Sequence, residues 1–167
     1  MCLVQVTLLD VKNLSPGGIS GSGMFAVVRL KREGSNAPCT NKNRTKDSCL
    51  SEGGKGGKGG MNCCAQFRFP LPEGIGSDLA GFDEHRERLF KGPPTLVKIG
   101  VYEKRSFLGD SLIGFGDTPL KTLVGANGEG EDWLPLAREG GGAGGHFVRV
   151  RVNVRFEVMR LKEGGGV

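Results

Sequence analysis

The sequence is poor in histidine, in aromatics and in long apolar runs, and each shortage removes a class of function. Two histidines in 167 residues leave little material for metal binding or general-base chemistry. His85 sits in the charged run DEHRER, and His146 follows a glycine run. Neither belongs to a nucleophile–base pattern, so both read as surface residues, no catalytic residue is assigned and no enzyme activity is expected. Asp83, Glu84 and Glu87 read as one solvated helix face. Aromatics make up 7% of the chain and are scattered, which argues against a base-stacking platform and a nucleic-acid partner. No apolar run approaches the ~20 residues that cross a bilayer. The N-terminus lacks a charged region leading into an apolar stretch, so no signal peptide is expected and the location read from the sequence is cytoplasmic. Five cysteines (Cys2, Cys39, Cys49, Cys63, Cys64) form an odd set without a C-x-x-C pair. They read as reduced thiols rather than disulfides or a zinc site, and no metal or other cofactor is assigned.

What is abundant is glycine, 30 residues, beside 8 prolines. Most of the glycine falls in clusters at 17–23, 53–60, 125–130, 140–145 and 164–166, which separate segments of strand character. Two glycine motifs fail on context. Gly21-Ser22-Gly23-Met24-Phe25-Ala26 matches a dinucleotide-binding fingerprint, but a strand-like segment follows where a helix is required. The Gly-Lys run at 53–60 lacks the G-K-[ST] ending of a phosphate loop. Charge is as unevenly placed as glycine. The formal net charge is +5, and residues 29–58 alone carry eight basic residues against three acids. A local excess of that kind points to an anionic partner, or else to a solvated basic loop.

Strand character recurs along the chain. Phe147 to Phe156 alternates apolar residues with Arg or Asn, the period-2 pattern of a half-buried antiparallel strand. Leu3 to Leu9 alternates only in part. Phe25 to Leu30 places Ala26, Val28 and Leu30 on one face and Phe25, Val27, Arg29 and Lys31 on the other. Cys63 to Phe69, Leu96 to Tyr102 and Leu112 to Phe115 complete the series, and only Ser77 to Phe90 reads as helical. Many short strands with Gly/Pro turns predict an all-β sandwich. One domain over 1–160 is expected, with flexible insertions at 51–60 and 73–94 and a tail or linker at 161–167.

The order of the segments resembles a C2 domain over nearly the whole chain. Leu3-Val4-Gln5-Val6 leading to Asn13-Leu14 is similar to that family's opening strand, L-x-V-x-V-x-x-A-x-N-L. Ser22-Gly23-Met24-Phe25-Ala26-Val27-Val28 stands where the family has S-D-P-Y-V-x-V, and Phe67-Arg68-Phe69 resembles its F-x-F. Val101 to Gly114 is similar, without gaps, to V-Y-D-x-D-x-F-x-x-x-D-x-I-G. Trp133-Leu134-Pro135-Leu136 and Gly145 to Val150 follow the W-x-x-L and G-x-I-x-V endings. The resemblance implies an eight-stranded antiparallel Greek-key β-sandwich, in the permutation that begins at the L-x-V-x-V strand. It leaves the place of the eighth strand open: in 73–94, in 120–145, or in a longer protein of which this sequence is a part.

The family's calcium site takes aspartates from two loops, and here Gly23, Glu103, Arg105 and Ser111 stand at those positions, with Asp110 one place out of register. One retained carboxylate beside a permanent cation implies no calcium binding. The basic segment is the expected replacement. Arg29 and Lys31 from one strand, and Lys42, Arg44 and Lys46 from its expected neighbour, would converge on one sheet surface. Near an anionic leaflet each cation contributes roughly 1 kcal/mol. Leu108, at the tip of the Glu103–Asp110 loop, is a candidate for membrane insertion. The function expected is calcium-independent docking on anionic phospholipid or phosphoinositide membranes, with the protein peripheral to the bilayer. The alternative is a C2 fold without lipid binding that serves as a protein–protein interaction module in a larger cytoskeletal or ciliary assembly.

Overall fold

The computed structural model describes residues 2–12, 24–34, 43–44, 60–70, 87, 90–91, 93–104, 109–138 and 148–158. The elements they form in full are β1 (Cys2–Lys12), β2 (Met24–Arg32), β3 (Asn43–Arg44), β4 (Gly60–Pro70), β5 (Thr95–Glu103), β6 (Ser111–Pro119), α1 (Leu120–Leu123), β7 (Glu129–Leu136) and β8 (Val148–Val158). Two four-stranded sheets result, ordered β4-β1-β8-β7 and β3-β2-β5-β6, with every pairing antiparallel. The chain crosses between sheets after β1, β3, β4 and β6, the connectivity of a Greek-key sandwich.

Strand β8 follows its sequence pattern strictly. Val148, Val150, Val152 and Val154 are fully buried in the core, and the intervening Arg149, Arg151, Asn153 and Arg155 point outward. Strand β1, paired along its length with β8, explains its own broken alternation. The register slips between Leu8 and Asp10, so Leu9 is an extra residue against β8. Val4, Val6 and Leu8 face the core before that bulge and Val11 returns to it afterwards. A bulge shifts the parity of everything beyond it. From the other side the core receives Ala26, Val28 and Leu30 of β2, Val97, Ile99 and Val101 of β5, and Phe67 and Phe69 of β4.

The eighth strand lies in 120–145, as β7. Its first four residues, Glu-Gly-Glu-Asp, carry no apolar alternation, and a proline sits near its end. Pro135 is tolerated because β7 is the edge strand of its sheet, where a missing N–H costs no ladder bond. At that edge the sandwich closes. Phe115 N donates to Ala137 O at 2.9 Å, and Ala137 N donates back to Phe115 O at 2.8 Å, which ties β6 to the end of β7. The closure depends on Gly116, because a Cβ there would stand 2.9 Å from Leu136 Cδ2 and 3.0 Å from the Pro135 carbonyl.

Of the segment expected to be helical, Glu87 and Phe90 are helical, and Lys91 N donates to Glu87 O at 2.9 Å. The remainder of that segment, most of the insertions at 51–60 and 73–94, and the 161–167 tail lie outside the described residues; within the insertions Gly60 already belongs to β4.

Candidate functional site

Strands β2, β5 and β6 share an outer face whose composition changes along its length. The antiparallel register aligns residues across the three strands in rows. One row is Arg29, Lys98 and Asp117; the next toward the strand-β2 end is Lys31, Leu96 and Pro119. In the opposite direction lie Val27, Gly100 and Phe115, and then Phe25 opposite Tyr102. Alternation puts all of them on the side away from the core, because Val28, Leu30, Val97 and Ile99 face inward.

The apolar half of this face is a packed surface. Phe25 and Tyr102 stack at 5.3 Å between ring centroids, inclined by 11°. The Tyr102 ring lies back over Gly100, where a Cβ would meet Tyr102 Cε2 at 2.8 Å. Phe25 and Val27 are buried at 3% and 4% exposure although they stand outside the interior cluster. The sequence pattern gave them an outward place, which they hold, but that place is covered. Phe115 is different: at 48% exposure it is the large hydrophobic side chain left open to solvent among the described residues.

The basic half is half-buried. Arg29 and Lys31 are of intermediate exposure, with Lys98 directly opposite Arg29. Like charges so placed, with Cβ atoms about 5 Å apart, repel unless an anion lies near. Asp117 supplies part of that compensation, with its Oδ2 3.4 Å from Lys98 Nζ. Strand β3 pairs with β2 as the sequence led one to expect, Arg44 opposite Val27 and Asn43 opposite Val28. Lys42, Lys46 and Leu108 lie outside the described residues. Lys98 was not among the cations singled out in the sequence. Its signal was there: in Leu96 to Tyr102 the period-2 pattern sets Lys98 opposite in facing to Val97 and Ile99.

The outer face of the other sheet is also rich in cations, but there they are engaged. Arg151 pairs with Glu131, Arg68 Nε lies 3.8 Å from Glu157 Oε2, and Asn153 Nδ2 donates to Glu129 Oε1 at 3.1 Å. Lys12 Nζ stands 4.4 Å from the centroid of Trp133, and Arg149 Cζ 5.9 Å from the same ring. These are cation–π contacts.

The sandwich closely parallels solved structures of one fold family. It superimposes on the C2A domain of plant extended synaptotagmin 1 with a TM-score of 0.56 at 11% identity, covering 95% of this chain and 96% of that one. The fold is that of a C2 domain. A chain from the structure of CC2D1B matches with a TM-score of 0.56 at 16% identity, over 92% of this chain and 54% of that one. Human group IVD cytosolic phospholipase A2 matches at 0.50 and 10% identity, over 95% of this chain and 17% of the enzyme. No protein-family model and no curated protein matches the sequence.

In the C2 fold the calcium ligands would gather where β1, β2, β5 and β6 meet their loops. Of the residues at those positions, Glu103 is buried at 7% exposure, lies at an inward position of β5 and already has interactions of its own. Asp110 is exposed and Ser111 half-buried, while Gly23 and Arg105 lie outside the described residues. Among the described residues these positions offer one engaged carboxylate, one exposed carboxylate and a hydroxyl, where a calcium ion takes six to eight oxygens.

Proposed function

We propose that this C2 domain is a non-catalytic, calcium-independent docking module for anionic phospholipid or phosphoinositide membranes, binding peripherally through the basic half of the β2–β5 face. The observation that carries the reading is the row of Arg29 opposite Lys98, with Lys31 in the next row and Asp117 as the outward carboxylate within β2, β5 and β6, the exposed Glu33 following just beyond β2. Three cations near an anionic leaflet supply about 3 kcal/mol, offset by about 1 kcal/mol at Asp117, and the reading expects Lys42, Arg44 and Lys46, whose side chains lie outside the described residues, to add to it. Calcium independence is supported by the donor set, which among the described residues offers no cluster of carboxylates to a dication. Among the described residues no helix is long and apolar enough to cross a membrane, which accords with peripheral attachment.

The test is co-sedimentation with phosphatidylcholine vesicles, with and without phosphatidylserine, in calcium and in chelator. Binding is expected to require the anionic lipid, to fall as salt rises, to ignore calcium, and to be lost when Arg29, Lys42, Arg44 and Lys46 are replaced by Glu. Binding that survives those four replacements, or a parent protein that ignores anionic vesicles, refutes the reading and favours a protein-interaction module of a cytoskeletal or ciliary assembly.

A further inference from the structure

We infer that the domain docks with the Lys31–Arg29–Lys98–Phe115 side of the β2–β5–β6 face against the bilayer and that Phe115 is its apolar anchor; the inference rests on the membrane-docking reading above. Phe115 is the exposed large hydrophobic residue of the described structure, on the same outer face as the cations. It lies one row along and one strand over from Lys98, a diagonal of roughly 7–8 Å between Cα atoms. Side chains on one sheet face stand roughly perpendicular to it, so an arginine, a lysine and a phenylalanine reach a similar height. A bilayer that meets the Arg29, Lys31 and Lys98 head groups is therefore within reach of the Phe115 ring.

The occupant follows from that combination. A ring beside cations matches a surface whose phosphates lie above acyl chains, whereas a soluble anion would leave the ring in water. The backbone that carries the ring is fixed. Its N–H and C=O are both bonded to Ala137, its flanking Gly114 and Gly116 are pressed against β7, and the neighbouring Gly100 position is already covered by Tyr102. This orientation also separates the two ends of the problem: Trp133 lies on the outer face of the opposite sheet and would remain in water.

The experiment uses the full chain and phosphatidylcholine/phosphatidylserine vesicles. Phe115→Ala, at an exposed site where the fold loses little, is expected to weaken binding roughly tenfold, since about half of a phenylalanine surface leaves water on docking. The residual binding of that variant should be more salt-sensitive than the parent's. Phe115→Trp adds an indole whose emission should be quenched by brominated acyl chains, while in the parent the Trp133 emission is untouched by the same lipids. Parental binding left unchanged by Phe115→Ala, with no quenching of the added indole or with quenching of Trp133, overturns the anchor and leaves the docking reading standing. A parent that fails to bind anionic vesicles overturns both.

Discussion

Replacing Asp117 with Asn should make the protein bind anionic membranes more tightly. Asp117 is the acid at an outward position of β2, β5 and β6, and its carboxylate lies 3.4 Å from the Lys98 ammonium. Close to an anionic leaflet each elementary charge counts for about 1 kcal/mol, so removing the carboxylate deletes about 1 kcal/mol of repulsion. It also releases Lys98, now held by Asp117, toward lipid phosphate. The combined gain is about 1–2 kcal/mol, or roughly 5–30-fold in Kd. The cost to the fold is small: the pair is partly exposed, with side chains 31% and 45% accessible, and such pairs contribute about 0–1 kcal/mol. Vesicle titration at low and high salt is the assay. The gain should be largest at low ionic strength and fade as the Debye length shrinks from about 10 Å at 0.1 M toward 3 Å at 1 M. Equal or weaker binding at low salt refutes the reasoning.

Three other outcomes are expected. Gly130→Ala should destabilise the domain by about 1–3 kcal/mol or more, because its Cβ would overlap the Leu123 carbonyl oxygen, a backbone atom with no rotamer to yield; a urea midpoint equal to the parent's would show that the α1–β7 approach is looser than described. Gly34→Ala, in open space at φ +71°, should cost about 1–2 kcal/mol by strain alone, and a loss as large as that at Gly130 would contradict the assignment. Calorimetric titration with calcium should show no saturable heat; a clear stoichiometric signal would overturn the account of the Glu103–Ser111 positions.

How far the sequence reached differs from strand to strand, for physical reasons. Strand β8 was legible because one face is core and the other solvent from Val148 to Val154, so alternation is unbroken. Strand β1 was half legible, since the bulge at Leu9 reverses its parity in mid-strand. Strand β7 was hidden: only Leu134 and Leu136 are buried, and Glu129 to Asp132 offer polar or small side chains on both faces. The pairing of the two basic segments was legible in outline. Lys98 and Phe115 were not singled out, because each belongs to a segment that reads as plain sheet until the register shows its neighbours. Position opposite a given residue is a tertiary fact, and no local pattern encodes it.

The two outer faces show why a count of cations does not locate a docking surface. On the β4-β1-β8-β7 sheet, Lys12, Arg68, Arg149, Arg151 and Arg155 stand among Asp10, Glu129, Glu131 and Glu157, five cations against four carboxylates. On the β2–β5–β6 side, Arg29, Lys31 and Lys98 stand with Asp117, and the exposed Glu33 follows at the end of β2, three cations against two carboxylates. A membrane approaching the first face gains about 1 kcal/mol at each cation and loses about as much at each carboxylate. It would also have to draw Arg151 from Glu131 and Arg68 from Glu157. The second face has fewer cations but less to cancel them, and it adds an exposed ring at the same height. The richer face is therefore the poorer membrane surface, and the arginines of β8 act mainly within their own sheet: Arg151 holds the edge strand β7 through Glu131, while Arg149 and Lys12 from β1 cover Trp133.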